Sequence, residues 1–150
     1  MLLTNNKGGI CLKKYSSLAH FLEEHMSNSI KKVLLDYIKE NEMYTDREVY
    51  ENPEKYQLNM EMQITIPYDS YFKAPEYDLD FDIVVEATTT VTELVGDELQ
   101  TNLFQDRFTL TLSAKLKDGL HDIYCHNIQL GDDTRPYDKE NSLSRFLVPY

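Results

Sequence analysis

The segment His20-Phe-Leu-Glu-Glu-His25 holds two histidines and two glutamates. Zinc peptidases place two histidines and a glutamate on one helix, so the composition invites metal-assisted hydrolysis. The spacing excludes it. Histidines at i and i+4 return to nearly one helix face, whereas i and i+5 diverge by about 140° at roughly 100° per residue. Cys125 and His126, with His121 close by, make a second cluster of metal-ligating types. Successive strand residues point to opposite faces, so Cys125 and His126 are poorly placed to share an ion, and a buried thiol beside a boundary histidine is expected. Lys7-Gly8-Gly9 lacks the flanks of a phosphate-binding loop, and no Gly-x-Ser-x-Gly places a serine nucleophile. No catalytic residue, metal or cofactor is assigned, and a non-enzymatic protein is expected.

The row Asp78, Asp80 and Asp82 carries the other chemistry the sequence offers. On a strand, i and i+2 side chains share a face about 6.6 Å apart, twice the roughly 3.3 Å rise. Such a row is too widely spaced to bring its oxygens within the roughly 2.0–2.6 Å of a single ion. An exposed row also lacks the desolvation that separates two pKa values for acid/base work. What remains is a solvated strand face or a line of negative charge shown to a basic protein. Tyr68, Tyr71 and Tyr77 stand beside it, with Glu76 before it and Glu86 after it. Tyrosines suit protein interfaces because they bury rigid area and keep a polar tip. Without interleaved Lys or Arg they make a poor platform for single-stranded nucleic acid. The expected partner-binding set is therefore Glu76, Asp78, Asp80, Asp82, Glu86, Tyr68, Tyr71 and Tyr77.

Net charge sharpens that expectation. The 150 residues carry 26 acids against 15 bases, a balance of −11, which argues against gripping phosphates over a broad surface. The charge is local: residues 1 to 35 sum to +3, leaving −14 for the rest. Between Lys73 and Arg107 lie nine acids and no base. No apolar run reaches the roughly 20 residues of a membrane span, and the first ten residues do not read as a signal peptide. With two cysteines far apart in sequence, a cytoplasmic protein with reduced thiols and no membrane partner is expected.

The elements that must position these residues follow from hydrophobic period. From Tyr15 to Met43 the apolar residues Leu18, Phe21, Leu22, Met26, Ile30, Val33, Leu34, Tyr37 and Ile38 keep the three-and-four spacing of one helix face. Ser16 or Ser17 caps its start, and one long helix is expected, with Ser27-Asn28-Ser29 as the weak interior at which it would kink. A tyrosine-rich connector, 44 to 55, leads to Leu58, Met60, Met62, Ile64 and Ile66, which alternate with polar residues as in a half-buried strand. After a turn at 67 to 75, alternation resumes from Tyr77 to Thr92 with Phe81, Ile83, Val85, Ala87 and Val91 on one face. A third strand turns Phe108, Leu110, Leu112, Ala114 and Leu116 inward. A turn at Asp118-Gly119 and a fourth strand, 123 to 130, follow. The tail reads as loop up to a short apolar stretch, Leu143 to Val148. The expected fold is a single α+β domain over 1–150, an amphipathic helix packed on a four-stranded antiparallel meander sheet.

Leu116-Lys-Asp-Gly-Leu-His-Asp-Ile123, followed by Asn141-Ser-Leu-Ser-Arg-Phe-Leu-Val-Pro-Tyr150, resembles the N-terminal β-rich region that precedes ImmA/IrrE-type metallopeptidase domains in Firmicutes mobile elements. The likeness spans about residues 79 to 150. It departs at the third strand, where such sequences tend to carry Trp and Cys and this chain has Arg107 and Leu112. The His-Glu-x-x-His helix of that peptidase would follow Val-Pro-Tyr, so no catalytic residue carries over. The resemblance implies a phage or mobile-element setting and a non-catalytic domain.

Two functional expectations result. The first is an acidic binding protein that engages a basic protein surface, including that of a nucleic-acid-binding defence enzyme, in an anti-CRISPR-like or anti-restriction role without touching nucleic acid itself. The second is an accessory or regulatory domain that binds a protein partner through its apolar edge or tail.

Overall fold

The computed structural model describes residues 18–66, 78–116, 119–131, 141–144 and 148–149, with the side chains of 18, 78–80, 116, 119–120 and 148–149 left aside. Helix α1, Leu18–Glu40, runs unbroken through Ser27-Asn28-Ser29. The Ser27 hydroxyl donates to the Glu23 carbonyl one turn back, which satisfies it within the helix and leaves no need for a kink there. The residues expected to cap its start lie outside the described residues. Its end is a Schellman closure: Met43 N–H reaches the Ile38 carbonyl at 2.9 Å while Glu42 takes the left-handed conformation, φ 52°. The connector then forms the single-turn helix α2, Arg47–Tyr50, and a 3₁₀ turn, Pro53–Lys55.

Beyond it lie β1, Tyr56–Thr65; β2, Asp78–Val95; β3, Glu98–Leu116; β4, Gly119–Leu130; β5, Asn141–Ser144; and β6, Val148–Pro149. They form one antiparallel sheet in the order β1-β2-β3-β4-β5, with β6 beside β4, curled into a half-barrel under the helix. This corrects the four-stranded expectation. The tail supplies the added strands: β5 pairs with Ile123 to Cys125, and its Leu143 is buried in the core.

The second difference is strand length. β3 begins at Glu98, well before the inward alternation that starts at Phe108, so β2 and β3 form one ribbon of 18 and 19 residues in unbroken register. Val95 pairs with Glu98 across Gly96-Asp97. Gly96 has φ +64° and Asp97 does not share a positive φ, which is the pattern of a type II′ turn, whose twist matches that of the strands.

The sheet is stepped. β1 covers only Val84 to Glu93 of β2, and β4 covers only Phe108 to Leu116 of β3. β4 carries two irregularities against β3, one at His126 and one near Asp122, where φ is 50°. Each inserts an extra residue and resets the facing, as β-bulges do.

The core lies between α1 and the inner face of the sheet. Phe21, Leu22, Ile30, Leu34 and Ile38 of the helix meet Ile83, Val85, Phe108, Leu110, Leu112 and Ile123, all fully buried. The helix rests on β1 and β5, one at each edge, and Tyr37 meets Phe108 edge-on at 6.0 Å. Glu23 of α1 accepts the Ile64 N–H at 2.9 Å, so a helix carboxylate satisfies a donor on the open side of β1.

Candidate functional site: the acidic β2–β3 ribbon

Of the eight residues expected to bind a partner, Glu76, Tyr68, Tyr71 and Tyr77 lie outside the described residues. The other four are on β2. Asp78 falls in register with Lys115, Asp80 with Ser113, Asp82 with Thr111 and Glu86 with Arg107. Lys115 is thus opposite Asp78.

The carboxylates whose side chains are described have local partners. Thr111 donates to Asp82 at 2.8 Å. Glu86 faces Arg107 at 3.7 Å with both groups more than half exposed, a pair that contributes little in water. On the inner face, Thr45 donates to Glu93 at 2.6 Å and Tyr44 donates to Asp106. The continuous line of unpaired negative charge anticipated on β2 is therefore interrupted. Charge without a base nearby shifts toward the far end of the ribbon, where residues 93 to 106 contain four acids and no Lys or Arg.

That far end also exposes Leu94, Val95, Leu99 and Leu103, the last two at 72% and 61%. None of these was among the residues expected to bind. The signal was present: Val-Gly-Asp-Glu at 95 to 98 is a two-residue hairpin sequence with glycine first.

The connector braces this end from the inside. Tyr44 has φ 75°, a conformation costly for a bulky residue by roughly 1–2 kcal/mol. It stacks on Phe104 at 4.2 Å and 14° while its hydroxyl meets Asp106. Burial and then the Asp106 carboxylate push the Tyr44 phenol well above its ordinary range. The buried Thr89 hydroxyl lies near enough to ease this slightly but outside hydrogen-bond geometry. Tyr50 donates to the Met43 carbonyl and meets Tyr56 edge-on at 5.2 Å. Its phenol is pushed up to about 12 by burial, then by Tyr56 and Glu93.

On the half of the sheet nearer β4, Ser113 Oγ is hydrogen-bonded to His126 Nε2 across a bulge. Serine and histidine in contact suggest a nucleophile and its base, but an orienting acid must bond the far nitrogen of the imidazole. Asp80 is in register with Ser113 on the side away from β4, so along the backbone the serine position lies between the acid and the histidine. Cys125 is fully buried, donates to the Asn127 carbonyl at 3.5 Å, and has its thiol pushed up to about 12 by burial. It points away from His126, and His121 is instead 3.0 Å from Asp122. His20 and His25 are both exposed, with the His25 ring against Phe21 at 4.9 Å. Among the described residues no three metal-ligating side chains converge.

A shallow depression of about 350 Å³ is lined by Glu86, Ala87, Thr88, Gln105, Asp106 and Arg107. Its walls are two neighbouring strands of one ribbon, so it lacks the enclosure that buries most of a small ligand. No helix of the described residues is long and apolar enough to cross a membrane. No known family, curated protein or solved structure matches the chain.

Proposed function

We propose that the chain is a non-enzymatic binding protein whose β2–β3 ribbon engages a basic protein surface. One observation carries the reading: the sequence from Asp78 to Asp106, eight acids without a base, runs from the start of β2 through the turn and back along β3. A ribbon of this kind concentrates negative potential along one arm, which steers a positively charged partner and gives salt-sensitive association. A basic partner that normally holds nucleic acid, such as a phage-defence nuclease, fits that chemistry. In that case the arm occupies a phosphate-binding groove as an anti-restriction or anti-CRISPR-like inhibitor. Glu93, Asp97 and Glu98 extend the contact beyond the row at Asp78, Asp80 and Asp82.

The rival, an accessory domain using its apolar tail or edge, is narrowed by Leu143. That residue is buried in the core, so this part of the tail serves the fold, and among the described residues the large apolar side chains left exposed are Leu94 and Val95 of β2 and Leu99 and Leu103 of β3.

The test combines Asp80→Lys and Asp82→Lys with Asp97→Lys and Glu98→Lys and measures binding to purified nucleic-acid-binding defence enzymes across ionic strength. Affinity that weakens on reversal and falls with salt supports the reading. Unchanged affinity without a salt slope overturns it.

A further inference from the structure

We propose that two copies of the chain pair edge to edge through Leu99–Leu103 of β3. The inference stands apart from the partner proposed above.

Among the described residues, none pairs with β3 on the side away from β2 between the turn and Arg107, because β4 begins its pairing at Phe108. The turn fixes which groups face that side. In a two-residue hairpin the closing residues, here Val95 and Glu98, exchange their hydrogen bonds. Alternation then directs the N–H and C=O of Leu99, Thr101, Leu103 and Gln105 away from β2. The Arg107 carbonyl, next in that series, accepts the Gly131 N–H at 2.9 Å on that side, which fixes the same parity.

Exposed edges are normally guarded by lysine, proline, a bulge or a cover, since a bare row of donors and acceptors templates another strand. From Glu98 to Asp106 there is no lysine or proline, the register against β2 has no shift, and Leu99 and Leu103 are exposed. Tyr44 stacked on Phe104 holds this edge in place from the inner face.

The occupant is a second copy because the edge is self-complementary, as a two-fold interface requires. The sequence Leu99-Gln100-Thr101-Asn102-Leu103 reads nearly the same in both directions. An antiparallel pair with its two-fold axis at Thr101 sets Leu99 against Leu103, Gln100 against Asn102 and Thr101 against itself. Glu98 then meets Phe104 and Asp97 meets Gln105, so no carboxylate opposes another. The outer-face contact between Thr92 and Thr101, 3.2 Å between hydroxyls, would continue across the axis. Centring the axis at Leu103 would require the Arg107 carbonyl, already taken, and centring it at Leu99 would run the partner off the turn.

Each copy carries −11, so mutual repulsion opposes pairing and screening favours it. At about 1 M salt the screening length falls to roughly 3 Å. Self-association should therefore strengthen with salt, opposite to binding of a basic partner, and failure of one proposal leaves the other standing.

The experiment is sedimentation equilibrium of the full chain at low and high salt, with two variants. Thr101→Pro removes an outward-facing backbone donor, which an edge strand tolerates, together with the exposed hydroxyl contact to Thr92. It should raise the dimer dissociation constant by roughly tenfold or more, with circular dichroism and melting temperature reporting an intact monomer. Thr101→Cys places two thiols across the axis, where an expected Cα separation near 5.5 Å suits a disulfide. Mild oxidation should cross-link it beyond the wild-type background, and Asn102→Cys should not. A chain monomeric at every salt concentration, or a dimer that survives Thr101→Pro and leaves Thr101→Cys uncross-linked, overturns the proposal.

Discussion

Tyr44, on a left-handed backbone, donates its phenol hydrogen to the carboxylate of Asp106, 62 residues further along the chain. The contact ties the end of the helical part of the fold to the return strand of the ribbon. The backbone cost is offset by that bond and by the stack on Phe104. Tyr44→Phe keeps the stack and loses the bond, and should destabilise the chain by about 1.5–3 kcal/mol, the range for a hydrogen bond to a charged group. Urea unfolding measures it. A double-mutant cycle with Asp106→Asn should return a coupling of at least about 0.5 kcal/mol.

Glu23 performs a comparable task at the opposite edge by accepting the Ile64 N–H. Glu23→Ala leaves that donor to water or to another chain. A loss of about 1–3 kcal/mol is expected, with Glu23→Gln recovering part of it because an amide oxygen can still accept. Thermal unfolding of the three proteins side by side is the check.

Gly96 sits at φ +64° with no atom within 4 Å of where a Cβ would stand. Space is therefore not the obstacle, and only backbone preference resists substitution. Gly96→Ala should cost about 1–2 kcal/mol, while Gly96→Asn should cost less because asparagine tolerates that region better. Amide hydrogen exchange along residues 90 to 103 should speed up in the alanine variant before the core is affected.

The helix and the inward faces of β1, β2 and β3 were legible because one buried face imposes a strict period. Phe21 to Ile38 repeats at helical spacing, and Phe81, Ile83, Val85 and Ala87 repeat at two. The pattern lost its voice where that condition lapsed. Past Val91 and before Phe108 the ribbon is exposed on most of its surface, so no apolar alternation marks the strands, and only the Gly96-Asp97 turn betrays them. The bulges at His126 and near Asp122 break the period of β4 from within. Val84 and Thr89 invert the rule locally: a valine on the outer face and a threonine on the inner face are both buried. The acids of the proposed binding surface were legible as a base-free run, but their partners Thr111, Arg107, Thr45 and Tyr44 come from strand register and connector packing, which no local pattern encodes.

Cys125 and Tyr50 set the response to alkali. Burial raises the folded thiol from an ordinary value of 9.0 to about 12, and Tyr50 rises from 10.0 to about 12. Both groups hold their protons more tightly folded than unfolded. Their contribution is complete below pH 9 and is lost as pH climbs through the interval up to about 12. Cys125→Ala should flatten that decline in urea midpoints measured between these limits. In a Cys11→Ser background, the remaining thiol should react with an aromatic disulfide reagent only as fast as the protein opens.

Thr89 is fully buried on the inner face of β2, and its hydroxyl makes no hydrogen bond among the described residues. A hydroxyl taken from water without a partner costs about 1–3 kcal/mol on the scale of protein substitutions. Valine has nearly the same shape and the same strand preference. Thr89→Val should thus raise stability by about 1 kcal/mol or more, less whatever the hydroxyl gives to the neighbouring Tyr44 phenol. Combining it with Tyr44→Phe separates the two contributions. If the gain from Thr89→Val grows when the phenol is absent, the hydroxyl was serving Tyr44. An unchanged gain means that it was a buried liability in both proteins.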